Sequence, residues 1–408
     1  MPLGKSAFQF YNINMPTQRS LFLEHVAQTS DFPLSLEIEQ AEGMYMTDVD
    51  GKKYLDLISG ISVSNLGHRH PNVINAVKEQ LEKYTYLMVY GEFVQSPQVK
   101  LATLLADNLP NTLNSCYLVN SGSEANEGAM KLAKRYTGRQ QIISFKNAYH
   151  GSTQGCLSII GSDDFKKPFE PLLPNITQLE FNNETDLAQI STKTACVIVE
   201  PIMGEAGVVA PTNNFLKKLR DKCTETGALL IFDEIQTGFG RTGKLFAFEH
   251  FGVTPDILTL AKAMGGGFPI GAFIASNEIM GSLKTNPILG HITTFGGHPV
   301  SCAAAYANLQ TLLTQKNLIS TVPQKEQLFK DLLKHPKIKA IRSFGLLIAV
   351  EFDSFETNKA IIDACIENGV LTDWFLFNDK SLRIAPPLII TEEEIKMACE
   401  VILDSIES

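Results

Sequence analysis

The chain has 408 residues, beyond the size at which one hydrophobic core usually keeps growing, so a large domain with a smaller one is expected. Hydrophobic residues at 44% and charged residues at 19% give an ordinary globular composition and exclude a disordered or fibrous chain. The formal net charge of −9, with no basic cluster to offset it, argues against nucleic acid as a partner.

Residues 1 to about 40 lack sustained periodicity and read as an arm, with short helical possibilities around Ser20–Thr29. Met1 to Ser20 shows no charged-then-apolar signal pattern, and no run reaches about 18 apolar residues. The seven cysteines are odd in number and at least 27 positions apart, which gives neither a disulfide framework nor a zinc spacing. A reducing cytoplasm is the expected compartment.

Two apolar stretches flank the Asp50–Gly51 turn and predict a hairpin. His68-Arg-His70 has no carboxylate or cysteine at ligand spacing, so it reads as a loop and no metal is expected. Pro71–Tyr84 follows as a helix with Val73, Ile74, Val77 and Leu81 on one face. Helices then alternate with apolar strands at Cys116–Val119, Ile142–Phe145, Ala195–Glu200, Ala228–Asp233, Ile257–Leu260 and Gly271–Ala275. That alternation predicts an α/β fold with a mostly parallel central sheet and right-handed crossovers. Beyond Pro299 a long helix leads into a smaller C-terminal α/β part, with strands near Ile338–Arg342 and Leu346–Phe352 and a last helix from Thr391. The expected organisation is an arm and the start of the small domain over 1–50, a large domain over 51–297 and a small domain over 298–408.

Several loops at strand ends carry chemistry. The string NSGSEANEGAMKLAK follows the first central strand, with Ser and Gly at the turn and acidic residues in the first helical turn. Such a helix start offers free N–H groups to a phosphate, although an ordinary N-cap has the same look. Asp233 ends an apolar strand, as a turn or capping residue does, or as the partner of a cationic ring nitrogen does. Lys262 comes 29 residues after Asp233, enough for a crossover to the neighbouring strand. It ends another apolar run, just before the glycines 265–267. A lone lysine there is usually a surface residue; a buried one is costly unless its charge is removed or used, as in a Schiff base with a carbonyl cofactor. Gly238-Phe-Gly-Arg-Thr-Gly243 matches a dinucleotide fingerprint. Asp233 and Glu234, however, put negative charge where a pyrophosphate would need N–H groups. The glycines after Lys262 follow their lysine, the reverse of a P-loop.

Six strings occur in order between roughly Gly43 and Leu388: SGSEANEGA, AYHGST, VIVEPIMGEAG, IFDEIQTGFGRTG, LAKAMGGGFPIGA and TTFGGHP. Together they closely resemble the class III (ω-) aminotransferases, pyridoxal-phosphate enzymes of fold type I that include acetylornithine, ornithine and 4-aminobutyrate aminotransferases. The resemblance implies pyridoxal 5'-phosphate bound to Lys262, with Asp233 on the ring nitrogen and Gln236 on the ring hydroxyl. Tyr149 or His150 would stack on the ring, and Gly122 and Ser123 would hold the phosphate. Thr294 would reach that phosphate from the other subunit of a homodimer with shared sites, with Thr293 on the substrate side. Glu205 resembles the family's gate glutamate and Arg383 its partner arginine, a pair that lets one pocket take both an amino donor and a 2-oxo acid such as 2-oxoglutarate or pyruvate. One position departs from the pattern. Acetylornithine and ornithine enzymes carry an arginine after the His-Gly or Trp-Gly pair, and Ser152 stands there, which argues against acetylornithine as the donor. The expected activity is amino transfer from an amine, ω-amino acid or amino acid. A racemase (of an amino acid or aminolactam) or mutase on the same scaffold, and a cofactor-binding protein without turnover, are the alternatives.

Overall fold

The computed structural model describes residues 17–407, so the first part of the expected arm lies outside the described residues. At the centre is a seven-stranded sheet. Its spatial order is Ser115–Val119, Gly271–Ala275, Ile257–Leu260, Leu229–Asp233, Thr194–Val199, Gln141–Phe145 and Ile176–Leu179. Gly271–Ala275 runs antiparallel to both neighbours, and the remaining pairs are parallel. Four of these strands are buried at every position, as continuous apolar runs must be when helices cover both faces. The carboxyl ends of the parallel strands therefore open together on one side, where the ligand crevice of an open α/β sheet lies. The edge strand Ile176–Leu179 was not expected; only its last residue is fully buried, so its apolar signal is weak.

The helix Pro71–Leu81 forms, but its inner face differs from the expected one. Val73, Val77 and Gln80 are buried while Leu81 is exposed. Gln80 is tolerated inside because its amide donates to the Tyr84 carbonyl at 2.8 Å, closing the helix end.

A second sheet joins Ile38–Glu42, Tyr45–Asp48 and Lys53–Asp56 to Val370–Leu371, which pairs in parallel with Lys53–Asp56. The expected hairpin is present, and its turn contains residue 51. A third, antiparallel sheet is built from Ala340–Ser343, Ile348–Glu351, Asn378–Ile384 and Asp373–Phe375. The hairpin 373–384 carries Arg383, which pairs across to Ala349 and Asp373.

The glycine-rich string after Asp233 holds these parts together. Arg241 is fully buried. Its guanidinium donates to the Leu346 carbonyl at 2.9 Å, Asn65 Oδ1 at 2.6 Å and Ser59 Oγ at 3.2 Å, and also to the Pro386 carbonyl. Burial pulls its pKa down to about 9, with Asp56 opposing. Glu234, also fully buried, accepts from the backbone N–H groups of Ala247 and Phe248. The string that imitates a dinucleotide fingerprint is thus a structural clasp between early and late segments of the chain. Among the described residues no helix is long and apolar enough to cross a membrane.

Candidate active site

Lys262 stands immediately beyond the strand Ile257–Leu260, in a turn that the backbone holds tightly. Its φ is 46°, in the left-handed region that non-glycine residues seldom adopt, and such outliers cluster at functional sites. The turn closes on Gly266, also left-handed, whose missing Cβ makes room for Asn308. Asn308 in turn donates to the Ala263 carbonyl at 2.7 Å from the long helix Pro299–Thr314. The lysine walls a cavity of about 460 Å³ together with Asn120–Ser123, Tyr149–Gly151, Glu200, Glu205, Asp233 and Gln236. Burial lowers its pKa; Glu205 opposes that and Arg383 adds to it. A lowered pKa makes the free amine more accessible as a nucleophile or base.

Asp233 faces the same cavity and is 3% exposed. One oxygen accepts from the Ile235 N–H at 3.0 Å, as the turn reading required. The other accepts from Asn126 Nδ2 at 2.8 Å and is 2.7 Å from His150 Nδ1. Asn126 also donates to the His150 carbonyl at 2.8 Å. Asn126, to which the sequence assigned no role, thus stands behind Asp233 and fixes it. It lies inside the quoted SGSEANEGA string, on the inner face of the helix Gly122–Thr137.

At the start of that helix Ser121 Oγ accepts from the Glu124 N–H at 3.2 Å, and Glu124 Oε2 accepts from the Asn120 N–H at 2.7 Å. This cap occupies the N–H groups of Glu124 and Asn120 and leaves those of Gly122 and Ser123 at the cavity wall. Space there depends on two glycines. A Cβ on Gly122 would come within 2.8 Å of Ile235, and one on Gly151, where φ is +120°, within 2.1 Å of Ser123 Oγ.

The other candidates divide clearly. His150 is 2% exposed and tied edge-on to Asp233 by its Nδ1, and both it and Tyr149 line the cavity. Gln236 donates to Glu205 Oε1 at 3.0 Å and has its own carbonyl oxygen buried without a partner, as His150 Nε2 is. Glu205 and Arg383, 4% and 2% exposed, form a two-pronged pair at 2.9 and 2.8 Å. Arg383 also lies 2.9 Å from Asp373 and 4.4 Å from the centre of the Phe375 ring. Burial alone would push the Glu205 carboxyl up; the Arg383 guanidinium outweighs it and holds the pKa at about 2. Glu205 walls the cavity and Arg383 stands behind it, the arrangement of a closed pair.

Ser152 is exposed beside the mouth, its hydroxyl 3.0 Å from the Tyr149 hydroxyl. Thr293 and Thr294 do not reach the cavity within this chain. The Thr293 hydroxyl accepts from Asn120 Nδ2 at 3.1 Å, one residue back from the wall. Thr294 is exposed, with its carbonyl receiving the Tyr86 hydroxyl at 2.8 Å.

Glu200 is the second group left without a role. It is a buried carboxylate at the end of Thr194–Val199 and part of the cavity wall. The reasoning that singled out Asp233, an acid at the end of a fully buried strand, applies equally to it.

An amine at the wall, N–H groups at a helix start, a carboxylate and a buried amide oxygen with no partner suit a phosphorylated, hydroxylated, basic aromatic aldehyde. The comparisons agree. The family model described as "Aminotransferase class-III" matches residues 26–406. An acetylornithine aminotransferase from Methanopyrus kandleri is 39% identical over 94% of this chain and 97% of its own length. A putrescine aminotransferase from Pectobacterium atrosepticum is 42% identical over 86% of this chain and 77% of its own. Among solved structures, the ornithine aminotransferase from Toxoplasma gondii superposes with a TM-score of 0.88 at 32% identity, over 95% of this chain and 92% of that one.

Proposed function

The chain belongs to the class-III aminotransferases, pyridoxal-phosphate enzymes of fold type I, and from that premise we propose that its donor is an amine or ω-amino acid without an α-carboxylate and its acceptor 2-oxoglutarate. The observation that carries the donor class is Ser152. It puts a hydroxyl where an acetylornithine or ornithine enzyme would place a cation, and its partner Tyr149 leads into a run of rings, Phe377 at 6.4 Å and then Phe165 at 5.4 Å.

The cofactor, when bound, supplies an electron-withdrawing ring that stabilises negative charge on the substrate carbon. The chain's own groups do the rest. Lys262 holds the cofactor between turnovers and, once displaced, carries the proton from the substrate carbon as base and then acid. Asp233, fixed by Asn126 and His150, sets a negative charge against the ring nitrogen. Gln236 offers its unpartnered oxygen to the ring hydroxyl, Gly122 and Ser123 bind the phosphate, and Tyr149 covers the ring. In the closed pair Glu205 neutralises Arg383, leaving an uncharged pocket for an amine donor. Displacement of Glu205 frees the guanidinium for a carboxylate of the acceptor.

The panel that tests this offers 2-oxoglutarate with diamines, ω-amino acids, ornithine and acetylornithine and measures glutamate. Wild type should favour the first two, and Ser152→Arg should raise activity on acetylornithine or ornithine relative to wild type. If Arg383 holds the distal carboxylate of the acceptor, which pyruvate lacks, Arg383→Ala should impair 2-oxoglutarate much more than pyruvate, on top of the roughly 3–5 kcal/mol cost of leaving Glu205 uncompensated. Strong wild-type activity on acetylornithine would contradict the donor assignment.

We further propose a homodimer with shared sites. Thr294 lies on an exposed segment with the apolar side chains Ile288, Ile292 and Phe295, a surface of the kind that a partner buries. Mixing Lys262→Ala with Thr294→Val subunits should restore activity in a fraction of hybrids. A fully active monomer by light scattering would contradict it. The seven unpaired cysteines support a reducing compartment such as the cytoplasm.

A further inference from the structure

We propose that Glu200 is a positioning residue that fastens the Tyr149 loop to the Gly204–Glu205 turn across the carboxyl end of strand Thr194–Val199. Its Oε1 accepts from the Tyr149 N–H at 3.0 Å and its Oε2 from the Gly204 N–H, also at 3.0 Å. The first loop carries the ring that covers the cofactor, and the second carries the carboxylate that opposes Arg383. One side chain therefore sets the distance between two walls of the same cavity.

The geometry leaves few substitutes. Glu200 is 5% exposed, and a carboxylate placed there is costly unless both oxygens are used. Tyr149 and Gly204 lie in loops, outside any helix or sheet ladder, so losing the carboxylate removes the acceptor of each N–H. The second loop has no slack, since a Cβ on Gly204 would sit 1.7 Å from Gln236 Oε1. An amide in place of the carboxylate could accept from one of the two N–H groups and would confront the other with a donor. Protonation weakens the same two bonds, because a neutral carboxyl is a poorer acceptor than a carboxylate. Burial pushes the Glu200 pKa up to about 7, with His150 opposing and Asp233 adding; Lys262 faces it from beyond Ile257–Leu260, and the Glu205–Arg383 pair lies beyond Gly204.

The roles of Tyr149 and Glu205 rest on the function proposed above, but the tie itself does not, and the two are tested by different readings. In cofactor-loaded Glu200→Gln, amide exchange at both Tyr149 and Gly204 should quicken. The visible circular dichroism per bound cofactor should change, and the KM for 2-oxoglutarate should rise about tenfold, the cost of one hydrogen bond, by a larger factor than kcat falls. If the variant does not fold, wild type supplies the same comparison. Protection of those two amides, corrected for intrinsic exchange, should fall from pH 8 to pH 6 as Glu200 takes up a proton. Unchanged protection at both amides would overturn the proposal. So would a loss confined to the folded fraction, with KM and the dichroism per cofactor as in wild type. Failure of the amine panel with the amide result intact would instead count against the assigned reaction.

Discussion

Lys262→Ala should abolish turnover, by about a thousandfold or more, while leaving a folded protein that still binds some cofactor. Proton transfer by a positioned side chain contributes about 10²–10⁴-fold, and in the proposed mechanism this residue also supplies the covalent attachment; no other lysine lines the cavity among the described residues. The surrounding turn does not depend on the amine, because Gly266 and Asn308 hold its backbone. Residual binding is expected through Asp233 and the N–H groups of Gly122 and Ser123. Borohydride should trap cofactor on Lys262 in wild type and on no residue in the variant. A trapped peptide carrying another lysine would displace Lys262 from its role.

Asp233→Asn should lower the rate of proton removal ten- to a hundredfold at nearly unchanged shape. Loss of one charge-assisted bond of about 1.5–3 kcal/mol accounts for that range. The local network makes the substitution harsher than an isostere suggests. All three contacts to Asp233, from Ile235, Asn126 and His150, suit an acceptor. Wherever the new NH2 group points, it meets a backbone or amide donor, and toward His150 it would force the other ring tautomer. Single-turnover kinetics with a deuterated donor would read the step directly. Wild-type turnover in this variant would reduce Asp233 to a turn residue.

The central strands and the loops at their ends were legible in the sequence because full burial writes itself as unbroken apolar runs ending in polar or glycine residues. Thr194–Val199, Leu229–Asp233 and Gly271–Ala275 lie within a residue of where the runs predicted them. Half-buried strands write no such signal. Ile176–Leu179 and the hairpin 373–384 mix polar and apolar positions, so neither shows an unbroken apolar run. Gln80 is buried and Leu81 exposed on their helix, the reverse of the apolar pattern, with the buried amide satisfied by the Tyr84 carbonyl. At the site, Lys262, Asp233, Tyr149, Gln236 and Glu205 converge on one cavity. Glu200 carries the same strand-end mark as Asp233, whereas Asn126 carries none, because its partners Asp233 and the His150 carbonyl are distant in sequence. The tie between His150 Nδ1 and Asp233 likewise needed coordinates, since the two residues lie 83 positions apart.

As a class-III aminotransferase this chain moves an amino group and does not merely bind or epimerise an amine. Purified protein loaded with pyridoxal phosphate, given a ¹⁵N-labelled diamine or ω-amino acid and unlabelled 2-oxoglutarate, should produce ¹⁵N-glutamate in step with the carbonyl product of the donor. Lys262→Ala should produce none. Release of no labelled glutamate from any donor in the panel, with inversion of a chiral amino acid or no change at all, would contradict the account.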